Sequence, residues 1–444
     1  MGRLFGTDGV RGIANEDLSP ELAFKLGEVG ASFLTPRGKK GKIVVGKDTR
    51  ISCDLLESAL ISGICCSGAD AMKVGVIPTP AIAFLTRFLG ANAGVVISAS
   101  HNPVEYNGIK FFDADGFKLS EEMENQIEAL IKSGSKSRPK AAGIGTITQI
   151  DDAIEHYVNY AVNTIPGALE GFKVALDCAN GSTHQTSPLI LHELGARVLT
   201  FGASPNGLNI NLNCGSTYPQ YVQEIVRSHN VDLGLAHDGD GDRVIAVDET
   251  GDMIDGDFIM AICAIHLKKL GELPNNTVVT TIMTNMGFDL AMGGHGIKVI
   301  KTKVGDRYVL EEMLANKISL GGEQSGHIIF LDLNTTGDGV VTALQLMAVM
   351  RDTGKRLSEL KKVMTRFPQV LLNVHVARKE NLNKSERIKR AIKAAEESSK
   401  RKGRVLVRAS GTEPMVRVMV ESEDEGEANS IAHEIAAVIE KELA

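Results

Sequence analysis

KIVVGKDTRISCDLLESALISGICCSGADAMKVGVIPTPAIAFLTRFLGANAGVVIS, residues 42–98, is the stretch that decides the fold class. Lys42-Ile43-Val44-Val45-Gly46 is a short β-branched run suited to a strand. Leu55-Leu56, Ala59-Leu60 and Ile64 then recur at helical spacing. Ala71–Val76 reads as a strand, Ala81–Leu89 as a helix and Gly94–Ser98 as a third strand. Strand and helix alternating at this spacing predict a layered α/β architecture. In such sheets, chemistry gathers beyond the carboxyl ends of strands. The third strand runs into Ser98-Ala99-Ser100-His101-Asn102-Pro103, a polar turn that delivers a serine and a histidine side by side.

The same habit recurs along the chain. Between Lys132 and Gly145 the sequence turns to Lys, Ser, Pro, Ala and Gly, which marks a boundary. A second unit has strands at Lys173–Asp177, Arg197–Phe201, Val231–Ala236 and Val244–Val247, with helices at Pro188–Leu194 and Tyr218–Ser228. A third starts near Gly256, with strands at Thr277–Ile282, Lys298–Thr302 and Ile328–Leu331 and helices at Phe288–Ala291 and Leu310–Leu314. After Pro368 the pattern becomes strand, helix, two strands and a last helix bearing Ile431, Ile435, Val438 and Ile439. No repeat is visible between the units in sequence. The boundaries fall at 1–148, 149–255, 256–368 and 369–444, consistent with 444 residues at roughly 150 per domain. The expected class is α/β: three similar α/β domains with mixed sheets, then a C-terminal α+β domain.

Composition narrows the function. Hydrophobic residues make up 43% and charged residues 23%, as in ordinary globular chains. No apolar run reaches the roughly 18 residues a membrane span needs, so no membrane partner is expected. The N-terminus lacks a signal-peptide core, and Gly2 lacks the Ser or Thr that myristoylation needs. Cys53, Cys65, Cys66, Cys178, Cys214 and Cys263 form no C-x-x-C pair, which suits reduced thiols in a cytoplasmic protein. The net charge of −7 argues against a nucleic-acid partner. An anionic substrate then needs positive charge concentrated locally.

Asp238-Gly239-Asp240-Gly241-Asp242 lies between two apolar strands. Three carboxylates this close raise one another's pKa, and a divalent cation removes the conflict. All-oxygen ligands suit Mg²⁺, Mn²⁺ or Ca²⁺ better than zinc. An EF-hand is excluded, because its sixth position, which needs glycine, is Arg243. A phosphatase using Asp238 as a nucleophile is the rival reading; it leaves the Ser100 loop without a task.

Two further loops carry polar groups. Gly322-Glu323-Gln324-Ser325-Gly326-His327 offers a carboxylate, a hydroxyl and an imidazole, a set matched to adjacent sugar hydroxyls. Arg408-Ala409-Ser410-Gly411-Thr412-Glu413-Pro414 offers a bidentate phosphate partner in Arg408 and an anion nest from Ser410, Gly411 and Thr412, with Arg417 in the next strand. No nucleotide-binding glycine motif is present. Arg11, Lys110 and Arg243 are the cations expected around a phosphorylated Ser100. Lys303-Val304-Gly305-Asp306-Arg307-Tyr308 is a further charged loop expected to line the substrate cleft. A serine, a metal site, a polyol loop and a phosphate clamp together imply phosphoryl transfer. His101, Lys110 and His327 compete for the role of acid or base.

These four loops, in this order, resemble the α-D-phosphohexomutase family over essentially the whole chain. The Phe5-Gly6-Thr7-Asp8-Gly9-Val10-Arg11-Gly12 opening, Lys303–Tyr308, and Ser204-Pro205-Asn206-Gly207 with Asn209-Ile210-Asn211 carry a closer likeness to its bacterial amino-sugar branch. The resemblance implies four domains around a central cleft and phosphorylation of Ser100. It implies one Mg²⁺ per site, on Asp238, Asp240, Asp242 and the phosphoserine. The implied reaction interconverts glucosamine 6-phosphate and glucosamine 1-phosphate through a bisphosphate, with glucose and mannose phosphates as the alternative substrates. A homodimer through the first domain is a further expectation. His237 departs from the pattern, which places an apolar residue there.

Overall fold

The structure, a computed structural model, describes residues 3–6, 8–36, 39–134, 138–398, 403–409 and 414–443, without the side chains of 397 and 398. The chain divides into two compact units. One runs to Met283 and resumes at Ile297–Lys362; the other comprises Thr284–Gly296 and the chain from Val363.

The larger unit holds three sheets. The first is built from β1 (Val10–Ile13), α1 (Pro20–Leu34), β2 (Lys42–Lys47), α2 (Cys53–Ser67), β3 (Asp70–Val76), α3 (Thr79–Phe88), β4 (Ala93–Ile97), β5 (Tyr106–Phe112), α4 (Glu121–Ser133) and β6 (Ile147–Gln149), in the strand order β1-β5-β4-β2-β3-β6. β4, β2, β3 and β6 run parallel, while β5 is antiparallel to both neighbours. After a helix α5 (Ala153–Val162), the second sheet uses β7 (Lys173–Asp177), α6 (Thr186–Glu193), β8 (Arg197–Phe201), α7 (Gln220–Ser228), β9 (Leu233–His237), β10 (Val244–Asp248) and β11 (Met253–Ile254) in the order β11-β10-β9-β7-β8. α8 (Gly256–Leu270) leads to β12 (Thr277–Thr281), α9 (Met286–Gly294), β13 (Lys298–Thr302), α10 (Asp306–Asn316), β14 (Leu320–Gly322) and β15 (Ile328–Phe330). Their order is β13-β12-β14-β15. α11 (Gly339–Thr353) and the short α12 (Leu357–Leu360) close the unit.

All three sheets share one winding. A first strand (β2, β7, β12) sits centrally, the next (β3, β8, β13) pairs on one side, and the third (β4, β9, β14) crosses to the other. A fourth strand (β5, β10, β15) then turns back antiparallel on the third. The crossing creates a switch point between first and third strands, where an open α/β sheet presents its crevice. The hairpin after each third strand carries one of the loops singled out above: Ser98–Pro103, Asp238–Asp242 and Glu323–His327. The repeat is thus real but topological, with no matching sequence.

Local chemistry explains the elements. β2 and β4 read as continuous apolar runs because parallel strands are covered on both faces. Val45, Val95 and Ile109 pack there against Leu26 of α1 and Leu60 of α2. α1 had no counterpart in the sequence reading, although its start signals are present: Ser19 Oγ accepts from the Leu22 N–H and Pro20 opens the first turn. α11 was also missed, because its apolar residues run all around the helix; nearly every residue from Gly339 to Met350 is buried. Asp338 caps it, accepting from the Val340 and Val341 N–H groups and from Tyr157 Oη at 2.9 Å.

The smaller unit is α+β, as expected. β16 (Gln369–His375), α13 (Glu386–Ser398), β17 (Gly403–Ala409), β18 (Met415–Ser422) and α14 (Glu425–Leu443) form an antiparallel sheet β16-β18-β17 under two helices. Val416 and Val418 meet Ile435 and Ile439 in its core. Helix α9 belongs to this unit rather than to the third sheet that flanks it in sequence. Glu421, fully buried, accepts from the Met286 N–H at 3.0 Å and pairs with Arg404, whose guanidinium also reaches the Thr284 carbonyl.

Candidate active site

β4 ends at Ile97 and releases the chain into the serine turn. Ser100 is buried with φ of +52°, a left-handed conformation that costs a non-glycine residue about 1–3 kcal/mol. Its Oγ donates to Asp238 Oδ2 at 2.6 Å and lies 3.2 Å from His101 Nδ1. Behind it, Arg50 is wholly buried in an ion pair with Asp48 (3.0 Å) and donates to the carbonyls of Ser100, Asn102 and Pro103. Ser98 Oγ donates to Asp48 at 2.6 Å and accepts from the Ser100 N–H at 2.9 Å. Neither Asp48 nor Arg50 was singled out in sequence. Their one signal is position, at the end of the central strand β2 and hence beside the switch point.

The aspartate loop lies between the first and third sheets' loops. Thr79 donates to Asp240 from both its N–H and its hydroxyl (2.8 and 2.7 Å). On the other side the Val244 N–H bonds the Gly326 carbonyl (3.2 Å) and the Gly339 N–H bonds that of Gly241 (3.0 Å). Gly241, at φ +72°, makes the turn that brings the carboxylates together. Oxygens of Asp238, Asp240 and Asp242 all lie within 4.8 Å of one another, and all three residues are buried. Asp240 Oδ1 and Asp242 Oδ1 are buried with no hydrogen-bond partner. Burial and the two neighbouring carboxylates drive Asp238 well above the ordinary carboxylate range. Against burial and Asp242, Lys110 and Thr79 hold Asp240 below it. Three converging carboxylates with oxygens left unpartnered fit a hard divalent cation.

Charge around this centre is ordered. Lys110, fully buried, sits 2.9 Å from Asp240 and 3.0 Å from Asp8. Against burial, those carboxylates raise its pKa, so it stays an ammonium. Asp8 also pairs with Arg11 and with Lys118 (2.7 Å), and Lys118 pairs with Asp306. His327 Nδ1 is 3.4 Å from Asp242 and its Nε2 is 3.7 Å from Asp306; against burial, Asp242 and Asp306 raise its pKa. His101 is the opposite case. Burial, then Arg243 and Arg11, push it down to about 4, so it is neutral at physiological pH. Arg243 bonds Asp238 through its backbone N–H (3.2 Å) and lies 3.7 Å from Asp242. Asp8, Lys118 and Asp306 were not picked as site residues, although two of them stand in quoted stretches. Long-range pairing across sheets is what gives them meaning.

The remaining expected residues divide. Glu323 accepts from the Gly305 N–H at 3.1 Å, which ties the sugar loop to the charged loop at 303–308. Ser325 is exposed on the same hairpin. His237 is buried and turned away from the carboxylates: Ser187 Oγ lies 2.9 Å from its Nε2 and the Arg243 carbonyl 3.2 Å from its Nδ1. Burial pushes it down to about 4, so it fills an apolar position as a neutral ring. In the smaller unit, Arg408 and Arg417 stand directly opposite each other on β17 and β18. Like charges placed so are unfavourable unless an anion joins them; burial and Arg417 together lower Arg408. Ser410, Gly411 and Thr412 lie outside the described residues. All six cysteines are free.

Comparison with known proteins agrees with this geometry. Four family models match in order: phosphoglucomutase/phosphomannomutase alpha/beta/alpha domain I over residues 2–138, domain II over 152–251, domain III over 255–367 and the C-terminal domain over 371–438. The chain belongs to the phosphoglucomutase/phosphomannomutase family, and it is an enzyme, a phosphohexose isomerase. The phosphoglucosamine mutase of Caldanaerobacter subterraneus subsp. tengcongensis is 54% identical over 447 residues, covering 100% of both chains. That of Clostridium novyi is 55% identical over 445 residues, covering 99% of each. Among solved structures, a phosphoglucomutase/phosphomannomutase family protein from Burkholderia thailandensis superposes with a TM-score of 0.83 at 21% identity, covering 99% of this chain and 97% of the other. The N-acetylphosphoglucosamine mutase of Aspergillus fumigatus gives 0.70 at 18%, covering 99% and 95%. At those identities the structures speak for the fold. Among the described residues, no helix is long and apolar enough to cross a membrane.

Proposed function

We propose that this enzyme interconverts glucosamine 6-phosphate and glucosamine 1-phosphate, with Ser100 as the phosphoryl carrier. The carrying observation is the 2.6 Å contact between Ser100 Oγ and Asp238 within a cluster of three carboxylates. This contact supports a phosphate on Ser100 lying beside the carboxylates that would hold the cation. Asp238, Asp240 and Asp242 would hold Mg²⁺, which when bound offsets the charge of the phosphoryl oxygens. Full-length relatives at 54–55% identity named phosphoglucosamine mutase support the amino sugar as substrate.

In the first half of the reaction, the O–P bond to Ser100 Oγ breaks as one to a sugar oxygen forms, giving the hexose 1,6-bisphosphate; in the second half a sugar O–P bond breaks as the bond to Ser100 Oγ forms again. The attacking hydroxyl gives up its proton, and Ser100 Oγ recovers charge as it leaves. The intermediate then turns over, and its other phosphate returns to Ser100. Lys110, fixed between Asp8 and Asp240, anchors charge and is not free to accept a proton. Proton transfer falls to the imidazoles: neutral His101 is able to accept, and His327, whose pKa Asp242 and Asp306 raise against burial, is the one better suited to donate. Glu323 and Ser325 bind sugar hydroxyls in either orientation. Arg243, with Arg11, faces the phosphoryl group at Ser100. Arg408, Arg417, Ser410, Gly411 and Thr412 are the residues proposed to bind phosphate in the last stretch, 369–444. The stretches 1–148, 149–255 and 256–368 supply the serine, aspartate and sugar loops. A cytoplasmic homodimer completes the proposal.

A coupled assay with glucosamine, glucose and mannose phosphates side by side tests the substrate. Turnover fastest with glucosamine 6-phosphate is expected; a preference for mannose or glucose phosphate overturns it. Intact mass should show a fraction of chains one phosphate heavier, lost in Ser100→Ala together with activity. Net phosphate release that survives Ser100→Ala would instead establish the phosphatase reading.

A further inference from the structure

Residues 204–211 were notable in sequence, yet nothing derived above uses them. The loop leaves β8 and reaches the first sheet's carboxyl end. The Gly207 carbonyl accepts from the Ile51 N–H at 2.9 Å, one residue from Arg50. The Asn211 N–H donates to the Ala179 carbonyl at 2.9 Å. The Asn211 side chain reaches furthest: its Nδ2 donates to the Ser100 carbonyl at 2.9 Å and lies 3.3 Å from that of Asn102.

The Ser100 carbonyl is therefore held twice, by Arg50 Nη2 from the end of β2 and by Asn211 Nδ2 from the second sheet's loop. The Ser100 N–H is held by Ser98, itself fixed by Asp48. Clamping both peptide groups that flank Ser100 fixes its φ of +52° against the pull toward ordinary backbone. The aspartate loop presses on the same point: a Cβ on Gly239 would lie 2.6 Å from the Ser100 carbonyl oxygen and 2.8 Å from Asn211 Nδ2. One amide thus touches both the loop that carries the serine and the loop that carries the carboxylates. A simpler account of Asn211 exists, since it too has a positive φ, +58°, which asparagine tolerates well. That account explains the residue type at 211; it gives the side chain no task.

We propose that Asn211 is a positioning residue for Ser100: its amide, together with Arg50, locks the serine's left-handed backbone so that Oγ points into the aspartate loop. The inference rests on Ser100 being the phosphoryl carrier. Asn211→Gly separates the two accounts, because glycine accepts φ of +58° at no steric cost but has no amide. The expected variant melts like the wild type and keeps KM within about twofold. Its kcat falls about 10–100-fold, the scale of a misplaced reacting group. Intact mass should also show slower phosphate uptake on Ser100 from glucose 1,6-bisphosphate. Asn211→Asp keeps the shape and the left-handed preference but turns an acceptor toward two carbonyls. It should lose at least as much kcat, and it replaces the glycine variant if that one melts early. Wild-type kcat and phosphate uptake in the folded variant overturn the proposal. Ser100→Ala, run alongside, keeps the two readings apart: turnover without the serine defeats the carrier role, whereas a dead Ser100→Ala beside a fully active Asn211→Gly defeats only the role of Asn211.

Discussion

Asp177, the last residue of β7, is buried and among the described residues pairs with no cation. It accepts the N–H groups of Gly215 (2.5 Å) and Ala179 (2.9 Å). Burial outweighs these bonds and lifts its pKa to about 6. The folded chain therefore keeps this proton up to about pH 6, whereas the unfolded chain releases it near 3.9. The contribution to stability is full below about pH 4 and is lost as pH rises through about 6, by about 3 kcal/mol. The difference in unfolding free energy between Asp177→Asn and wild type should move in favour of asparagine by that amount between pH 4 and 7. Urea unfolding at several pH values checks this, and a flat difference refutes it. Lys110 is the converse case. Lys110→Met leaves buried Asp240 without its cation, while half-buried Asp8 keeps Arg11 and Lys118, and should cost about 3–5 kcal/mol as well as activity. Thermal unfolding and turnover measurements check both, and a variant of normal stability would mean that Thr79 alone satisfies Asp240. Ser100, Lys110 and the three aspartates were legible as site residues because each is unusual in its own neighbourhood. Asp48, Arg50 and Asp8 were not, since a charge at a strand end looks like any surface charge until the distant groups it holds, the Ser98–Pro103 turn for Asp48 and Arg50 and Lys110 for Asp8, are known.

At the scale of elements, function depends on hairpins meeting. The turn after β4 and the turn after β9 touch through Gly239, where any Cβ enters the space of the Ser100 carbonyl and the Ile210 side chain, 2.8 Å away. Gly239→Ala must push the loops apart. It should lower kcat about 100-fold and cost about 1–3 kcal/mol of stability, as overpacking does. Thermal melts and steady-state kinetics check both, and an alanine variant of normal kcat would show that the loops yield freely. Strands at the switch points were easy to read, because burial on both faces writes an uninterrupted apolar run. α11 and α1 were not, the first because a helix buried all around loses its period, the second because its capping signals are short and its stripe is diluted by Gly27 and Gly30.

On the scale of the larger unit, ion pairs join the first sheet's layer to the third. Arg307, at the start of α10, reaches Glu124 of α4 at 2.6 Å, and Lys118 pairs with Asp306 beside it. Glu124 is nearly inaccessible, so Arg307→Ala should leave it with the longer Arg3 contact at 3.7 Å and lower the urea midpoint by the equivalent of about 1–3 kcal/mol; an unchanged midpoint would mean that the Arg307 pair does not hold the layers together. The carboxylate cluster gives a second global readout. Three converging buried acids repel even with Lys110 beside Asp240, so EDTA should lower the melting temperature and stop turnover, and Mg²⁺ should restore both. Asp240→Asn with Asp242→Asn should make the melt indifferent to either. A wild-type melt that ignores EDTA would remove the metal from the cluster.

The sequence by itself determined the class of fold, the order of its loops and which groups are candidates for the chemistry. Those properties are local: strand and helix periods are written over a few residues, and a reactive side chain is named where it stands. The tertiary structure alone decided that three dissimilar stretches wind identically, that their third hairpins converge, and that Lys110 is a fixed ammonium while His101 is neutral. It also decided that helix α9 joins the smaller unit and that Asn211 reaches Ser100. Each depends on burial and on pairs far apart in the chain. Desolvation and Coulomb interaction act through space, so no local pattern records them.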